Sequence, residues 1–244
     1  MTEVIPKLIY EDNHLLVVEK PVNIPSQADE SNDPDLLSIL KSDLKYRYQK
    51  PGQVYLGLVH RLDRPVGGVM VFAKTSKAAA RLSAQIRENI FKKSYLAVLN
   101  GRLERPRGTL RHFLLKDSYA NKVSAVSGPQ TGAKEAFLDY KVVSESEGLS
   151  LVHIDLQTGR SHQIRVQFAA IGHPLYGDQK YGVLYSRPGQ QIALWSTLIR
   201  CLHPTKNEPM IFEDFPPQVY PWNLFKKESS QLFGSDGMLD EPLI

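Results

Sequence analysis

The sequence predicts an α+β chain: a mixed, mainly antiparallel central sheet with flanking helices and loops. Two observations carry this. Short apolar runs recur along the chain between turn-forming residues, as strands joined by tight turns require. Three other stretches space their apolar residues at helical intervals. At 244 residues, 42% hydrophobic and 23% charged, the chain is long enough for a proper core and ordinary in composition for a soluble globular protein. No internal repeat or linker divides it. Residues 1–225 therefore read as one domain, and 226–244, which lack a packing pattern, as a flexible tail.

Leu8-Ile9-Tyr10 and Leu15-Leu16-Val17-Val18 read as two strands joined by a turn at Glu11-Asp12-Asn13. Pro21 and Pro25 close the second, because proline has no N–H for a ladder. Residues 27–34 are polar and acidic, a mobile loop. Asp33 then reads as a helix N-cap with Pro34 at the first helical position, followed by Leu36, Leu37, Ile39, Leu40 and Leu44. Tyr46-Arg47-Tyr48-Gln49-Lys50 ends that helix. Its tyrosines read either as base-stacking platforms or as ordinary surface aromatics, the commoner case.

Residues 68–74 form a strand. Thr75 or Ser76 caps a second helix, whose apolar stripe is Ala78, Ala79, Leu82, Ile86 and Ile90. Residues 93–99 alternate as a strand, with Tyr95, Ala97 and Leu99 on one face, and Asn100-Gly101 is a turn signal. Residues 109–115 are the strand-like centre of a basic segment, and 121–131, small and polar, read as a loop. Residues 133–143 and 149–156 pair around a hairpin turn at 144–148. A third helix runs through Ala169-Ala170-Ile171 and stops at Gly172. Residues 191–201 are a last strand, His203-Pro204 ends it, and the chain from Phe212 is irregular.

The one cysteine, Cys201, excludes an internal disulfide framework and an all-cysteine metal cage, and fits a reducing compartment. The amino terminus has no secretory pattern, and no stretch approaches the roughly 20 apolar residues of a membrane span. A cytoplasmic location is expected. Net charge is only +4, but Lys41 to Lys122 holds 18 Lys and Arg against 5 Asp and Glu, a surplus of 13 that leaves the rest of the chain at −9. That asymmetry points to a face able to meet a polyanion.

Two stretches hold the chemistry. Gly57-Leu58-Val59-His60-Arg61-Leu62-Asp63-Arg64 places a histidine, two arginines and one carboxylate between apolar runs. It reads either as a solvated loop with a surface ion pair or as an active-site loop on a strand scaffold. Arg160, His162 and Arg165 gather at the amino end of the third helix. Cations there oppose the helix dipole, so the arginines either need an anionic partner or are simply hydrated. The seven histidines show no zinc spacing, and G-x-S-x-G, Walker and G-x-G-x-x-G motifs are absent. Acids are scarce around Asp63, which disfavours a two-carboxylate glycosidase. A single carboxylate remains, acting as nucleophile or charge stabiliser.

His60-Arg61-Leu62-Asp63-Arg64 with Gly67–Lys74 resembles the signature loop of the RluA-type pseudouridine synthases. Lys93-Ser94-Tyr95-Leu96-Ala97-Val98 resembles the strand carrying their active-site tyrosine. A third block, 158–165 with 172–178 and Tyr181-Gly182, follows in the family's order. The resemblance implies the pseudouridine synthase fold, with an active-site cleft across the sheet. It implies isomerisation of a uridine in transfer or ribosomal RNA to pseudouridine, without cofactor or metal. Nothing in the sequence demands more than a monomer, and no obligatory protein partner is expected. The resemblance further implies that Asp63 acts on the sugar, by direct attack or by proton abstraction to a glycal. Arg165 would pair with Asp63, Tyr95 stack on the flipped base, Arg61 fill the space the base leaves, and Leu194 pack on the base. An appended amino-terminal RNA-binding domain is not expected. The chain departs from many relatives at Pro65-Val66-Gly67, at Gln167, where a histidine is common, and at Trp195. A catalytically silent RNA-binding or chaperone protein, or a hydrolase of nucleoside bonds, are the alternatives.

Overall fold

The computed structural model describes residues 6–226, and the tail expected at 226–244 lies outside them from residue 227 onward. The chain divides into two compact units.

The first unit holds residues 6–92 and Ser196–Asp214. Its strands are β1 (Leu8–Glu11), β2 (Leu15–Lys20), β3 (Gly57–Leu58), β4 (Gly67–Ala73) and, later in the chain, β10 (Leu194–Leu202) from Ser196 onward and β11 (Pro209–Glu213). They lie in the order β1-β2-β4-β10-β11, with β3 also on β4. Pairs β1/β2, β2/β4, β3/β4 and β10/β11 are antiparallel. The β1–β2 turn forms because the Asp12 carboxylate accepts the amides of His14 and Leu15, both at 2.7 Å.

Val69, Val71 and Ala73 of β4 pack with Leu15 and Val17 of β2 and with Ala78 and Leu82 of helix α2 (Ser76–Arg87), in a core completed by Phe91, Ile199, Cys201 and Phe212. The alternate residues Leu16, Val18, Met70 and Phe72 are equally buried, so β4 is apolar throughout. Leu36, Leu40 and Leu44 form the buried stripe of α1 (Leu36–Arg47). Gly68 is a glycine by necessity. Its φ is +112°, and a Cβ there would stand 2.2 Å from the Ser196 carbonyl oxygen.

The second unit holds Lys93–Trp195 and residues 215–226. Strands β5 (Lys92–Asn100), β6 (Arg107–Asp117), β7 (Lys122–Val126), β8 (Lys134–Ser146) and β9 (Leu149–Leu156) lie in the order β5-β9-β8-β6-β7, each pair antiparallel. Helix α3 (Gln163–Ala170) places Val166 against Leu114, Val123 and Ala136.

The mainly antiparallel α+β expectation holds. Three local readings are corrected. The cap of α1 is Asp35, whose carboxylate accepts the Ser38 amide at 3.1 Å, so Pro34 lies before the helix and not in it. Residues 122–126, expected as loop, form β7: the ladder to β6 and burial of Val123 outweigh the polar neighbours. Residues 209–213 form β11, because Phe212 enters the core opposite Ile199. Thr75 caps α2 as expected, its hydroxyl accepting the Ala78 amide at 3.1 Å. Tyr48 is half exposed, which both of its readings allow. Its hydroxyl donates to Glu11, and Lys74 Nζ sits 5.0 Å over its ring.

Candidate active site

In the first unit, the loop between β3 and β4 carries Arg61 and Asp63. Arg61 is exposed, Leu62 and Val66 are buried, and Asp63 is partly buried. The apolar pegs hold the loop down while the charged residues remain at its surface. Four polar ties fix its backbone. His60 Nε2 accepts the Val71 amide of β4 at 3.0 Å, so this histidine anchors the loop to the sheet. The buried Ser26 hydroxyl donates to the Leu62 carbonyl at 2.8 Å and accepts the Leu62 amide at 3.2 Å. The Val66 amide donates to the Asp63 carbonyl at 2.9 Å, closing a turn.

The fourth tie is Lys20, the last residue of β2, which is fully buried. Its ammonium donates to the carbonyls of Pro21 at 2.8 Å, Ile24 at 2.6 Å and Arg64 at 3.0 Å. Three hydrogens meet three acceptors, so the cation is satisfied although it is out of water. Burial pushes its pKa down to about 7, with Arg64 acting in the same direction, while the nearby Asp63 carboxylate favours the charged form. Arg64 turns away to the 23–33 segment, where it donates to the Asn23 carbonyl and Ser31 hydroxyl and pairs with Asp33. The segment expected to be a mobile loop therefore buttresses the Asp63 loop.

In the second unit, Tyr95 is buried on β5 opposite Ile154. Leu194, the first residue of β10, is also buried, as is Trp195. Arg165 is buried on α3 and makes a bidentate pair with Asp178: Nε to Oδ2 and Nη2 to Oδ1, both 2.8 Å. Burial disfavours the Asp178 carboxylate, but Arg165 and the amides of Lys180 and Tyr181 outweigh it and hold its pKa below the ordinary value. Gly177 makes this turn possible. Its φ is +72°, and a Cβ would stand 2.1 Å from the Gln191 carbonyl oxygen. The anionic partner that the helix-start cations called for is thus Asp178 for Arg165, while Arg160 Nε donates to the Glu135 carbonyl at 2.9 Å.

The approach to α3 is organised by Gln163. Its side-chain oxygen accepts from the Thr158 hydroxyl at 2.8 Å and the Arg160 amide at 3.0 Å. Its amide nitrogen donates to Phe137 O at 3.1 Å. Gln167, a departure from many relatives, is a structural tie: buried, it donates to the carbonyls of Leu110 and Ala136.

Arg61 and Asp63 thus share one braced loop of the first unit, and Tyr95, Arg165 and Leu194 belong to the second. Lys20 and Asp178 went unassigned in the sequence. Lys20 closes an apolar strand, where a lysine ordinarily marks the exit to solvent. Asp178 sits in a turn-rich stretch that suits an aspartate on conformational grounds alone.

Together these features define an α+β chain that braces one carboxylate on a loop and buries a bidentate arginine on a helix. A human structure, RNA pseudouridylate synthase domain containing 1, has this fold: TM-score 0.73 at 25% identity, over 90% of this chain and 86% of that one. The chain belongs to the RNA pseudouridylate synthase family, whose model matches residues 14–170, and it is an isomerase acting on RNA. It is 35% identical to an uncharacterised RNA pseudouridine synthase of Bacillus subtilis, over 87% of this chain and 69% of that protein. It is 31% identical to the ribosomal large subunit pseudouridine synthase D of Zymomonas mobilis, over 87% of this chain and 69% of that protein.

Proposed function

We propose that the chain converts a uridine of large-subunit ribosomal RNA to pseudouridine, with Asp63 as the reacting carboxylate. The observation that carries this is the bracing of Asp63. His60, Ser26 and Lys20 fix the loop on both sides of it, and a reacting group must be held in place before substrate arrives. The match over residues 14–170 supports the reaction. The printed names of the Zymomonas mobilis relative and of one from Nitrosomonas europaea support ribosomal RNA as the substrate class.

In this reading the target nucleotide leaves its helix, since chemistry on a stacked base requires extrusion. Arg61, exposed on the loop, fills the space it vacates. Asp63 acts on the ribose as the bond from C1′ to N1 breaks. The uracil turns and rejoins through C5, its C5 proton is lost to solvent with help from Tyr95, and N1 takes up a proton from solvent. Leu194 packs on the base. Arg165 pairs with Asp63 in this reading and keeps it charged and oriented, while Asp178 holds the guanidinium through its bidentate pair. In this reading the enzyme acts as a monomer in the cytoplasm, a reducing compartment that its single cysteine fits.

The test is to map pseudouridine in total RNA from cells with and without this gene, and then to restore the gene as wild type or as Asp63→Ala. The reading expects one or more large-subunit sites to disappear, and to return only with the wild-type chain. Restoration by Asp63→Ala would contradict it, and loss confined to transfer RNA would move the substrate.

A further inference from the structure

Strand β5 carries an uncompensated charge two residues before Tyr95. Lys93 is partly buried. Burial pushes its ammonium pKa below the ordinary lysine value, and among the described residues no hydrogen bond or ion pair offsets that burial. Lys20 is the contrast, with three carbonyls around its nitrogen. A cation taken from water without a partner costs stability. Such a group is kept where a ligand completes it.

The ammonium lies beside bare backbone. Strand alternation puts Lys93 on the same face of β5 as Tyr95. Its Nζ lies against Gly159, where a Cβ would stand only 3.1 Å away. Gly159 does not take a left-handed φ, so its lack of a side chain serves the space around the ammonium and not the backbone. Gly159 is also held still, because Gln163 binds both of its neighbours, Thr158 and Arg160.

We propose that Lys93 is a substrate-binding residue that receives a backbone phosphate of the RNA at the nucleotide presented to Tyr95. Lysine offers a compact charge with donors only, suited to a phosphate oxygen. RNA supplies one such anion per nucleotide, whereas uracil enters neutral. The proposal rests on the RNA-modifying reading above.

The experiment measures binding of the full chain to in-vitro transcribed large-subunit ribosomal RNA across a salt series, for wild type, Lys93→Met and Lys93→Arg, with thermal melting of each. Lys93→Met is expected to bind about 10- to 100-fold more weakly at low salt. Its slope of log affinity against log salt should flatten by about 0.7 to 1. Its melting temperature should equal or exceed that of wild type, since an unpaired, partly buried charge is removed. Lys93→Arg should recover most of the slope. Wild-type affinity and slope in Lys93→Met would overturn the proposal. So would a lowered melting temperature with the slope unchanged, which marks a structural lysine. The same RNA is assayed for pseudouridine with the wild-type chain. Failure to convert it contradicts the functional reading, whereas conversion with unaltered Lys93→Met binding contradicts only the role of Lys93.

Discussion

The Lys20 ammonium lies 3.0 Å from the carbonyl oxygen of Arg64, the residue that follows Asp63. This bond joins the end of β2 to a loop 44 positions away, and two further carbonyls complete the nitrogen's shell. Replacing Lys20 by Met leaves three carbonyls without their donor. The expected cost is on the order of 3 kcal/mol in urea unfolding, together with a fall in kcat larger than any change in KM. Unchanged kcat in a folded Lys20→Met chain would remove the loop-bracing role.

Lys20 also predicts opposite pH trends for stability and activity. Its pKa falls from 10.5 to about 7 in the folded chain. Between those values the unfolded chain holds the proton and the native chain does not, so the Lys20 contribution to stability rises with pH across that window. Below about 7 both states are protonated and this contribution is flat. The neutral amine has two hydrogens for three carbonyls, so kcat should decline as pH rises through about 7. Urea midpoints and single-turnover rates measured from neutral to alkaline pH check this. A parallel rise of both would show that the ammonium form is not required.

Arg165 and Asp178 depend on each other. Both are buried, and the pair is bidentate. Removing either charge deprives the other of its bidentate partner in a buried place, so Arg165→Met and Asp178→Asn should each cost about 3–5 kcal/mol. The double variant should recover much of that stability, because neither member of the buried pair is left facing a vacant partner, yet stay inactive because Asp63 has lost its proposed partner. Additive losses in the double-mutant cycle would show that the pair is not energetically coupled.

Gly177 sets where Asp178 stands. Gly177→Ala places a methyl 2.1 Å from a backbone oxygen, at a φ that alanine resists. A loss of more than about 2 kcal/mol in chemical denaturation is expected. A stability equal to wild type would mean that the turn relaxes freely.

Much of the fold was legible because local signals agreed with tertiary ones. The Thr75 cap, the alternation of 93–99 and the Gly172 stop each follow from chemistry within a few residues. What was missed depended on distant partners. β7 is a strand because β6 pairs with it, and β11 because Phe212 reaches a core built from β2 and β4. Asp35 outcompeted Asp33 as the cap only through its geometry to the Ser38 amide.

The site shows the same division. The Asp63 loop stood out by its charge density between apolar runs. The need for an anion near Arg165 was legible from the helix dipole, but not which anion: Asp178 lies thirteen positions on, beyond any helical spacing. Lys20 was invisible, because nothing in a strand-end lysine reveals three converging carbonyls.

The most direct test of Asp63 is a single-turnover assay on large-subunit ribosomal RNA carrying tritium at uridine C5, comparing the wild-type chain with Asp63→Asn. Tritium leaves only when the base has been rejoined through C5. Asp63→Asn should bind the RNA within a fewfold of wild type and release tritium slower by on the order of a thousandfold or more. Release by Asp63→Asn at the wild-type rate would contradict the assignment of Asp63 as the reacting group.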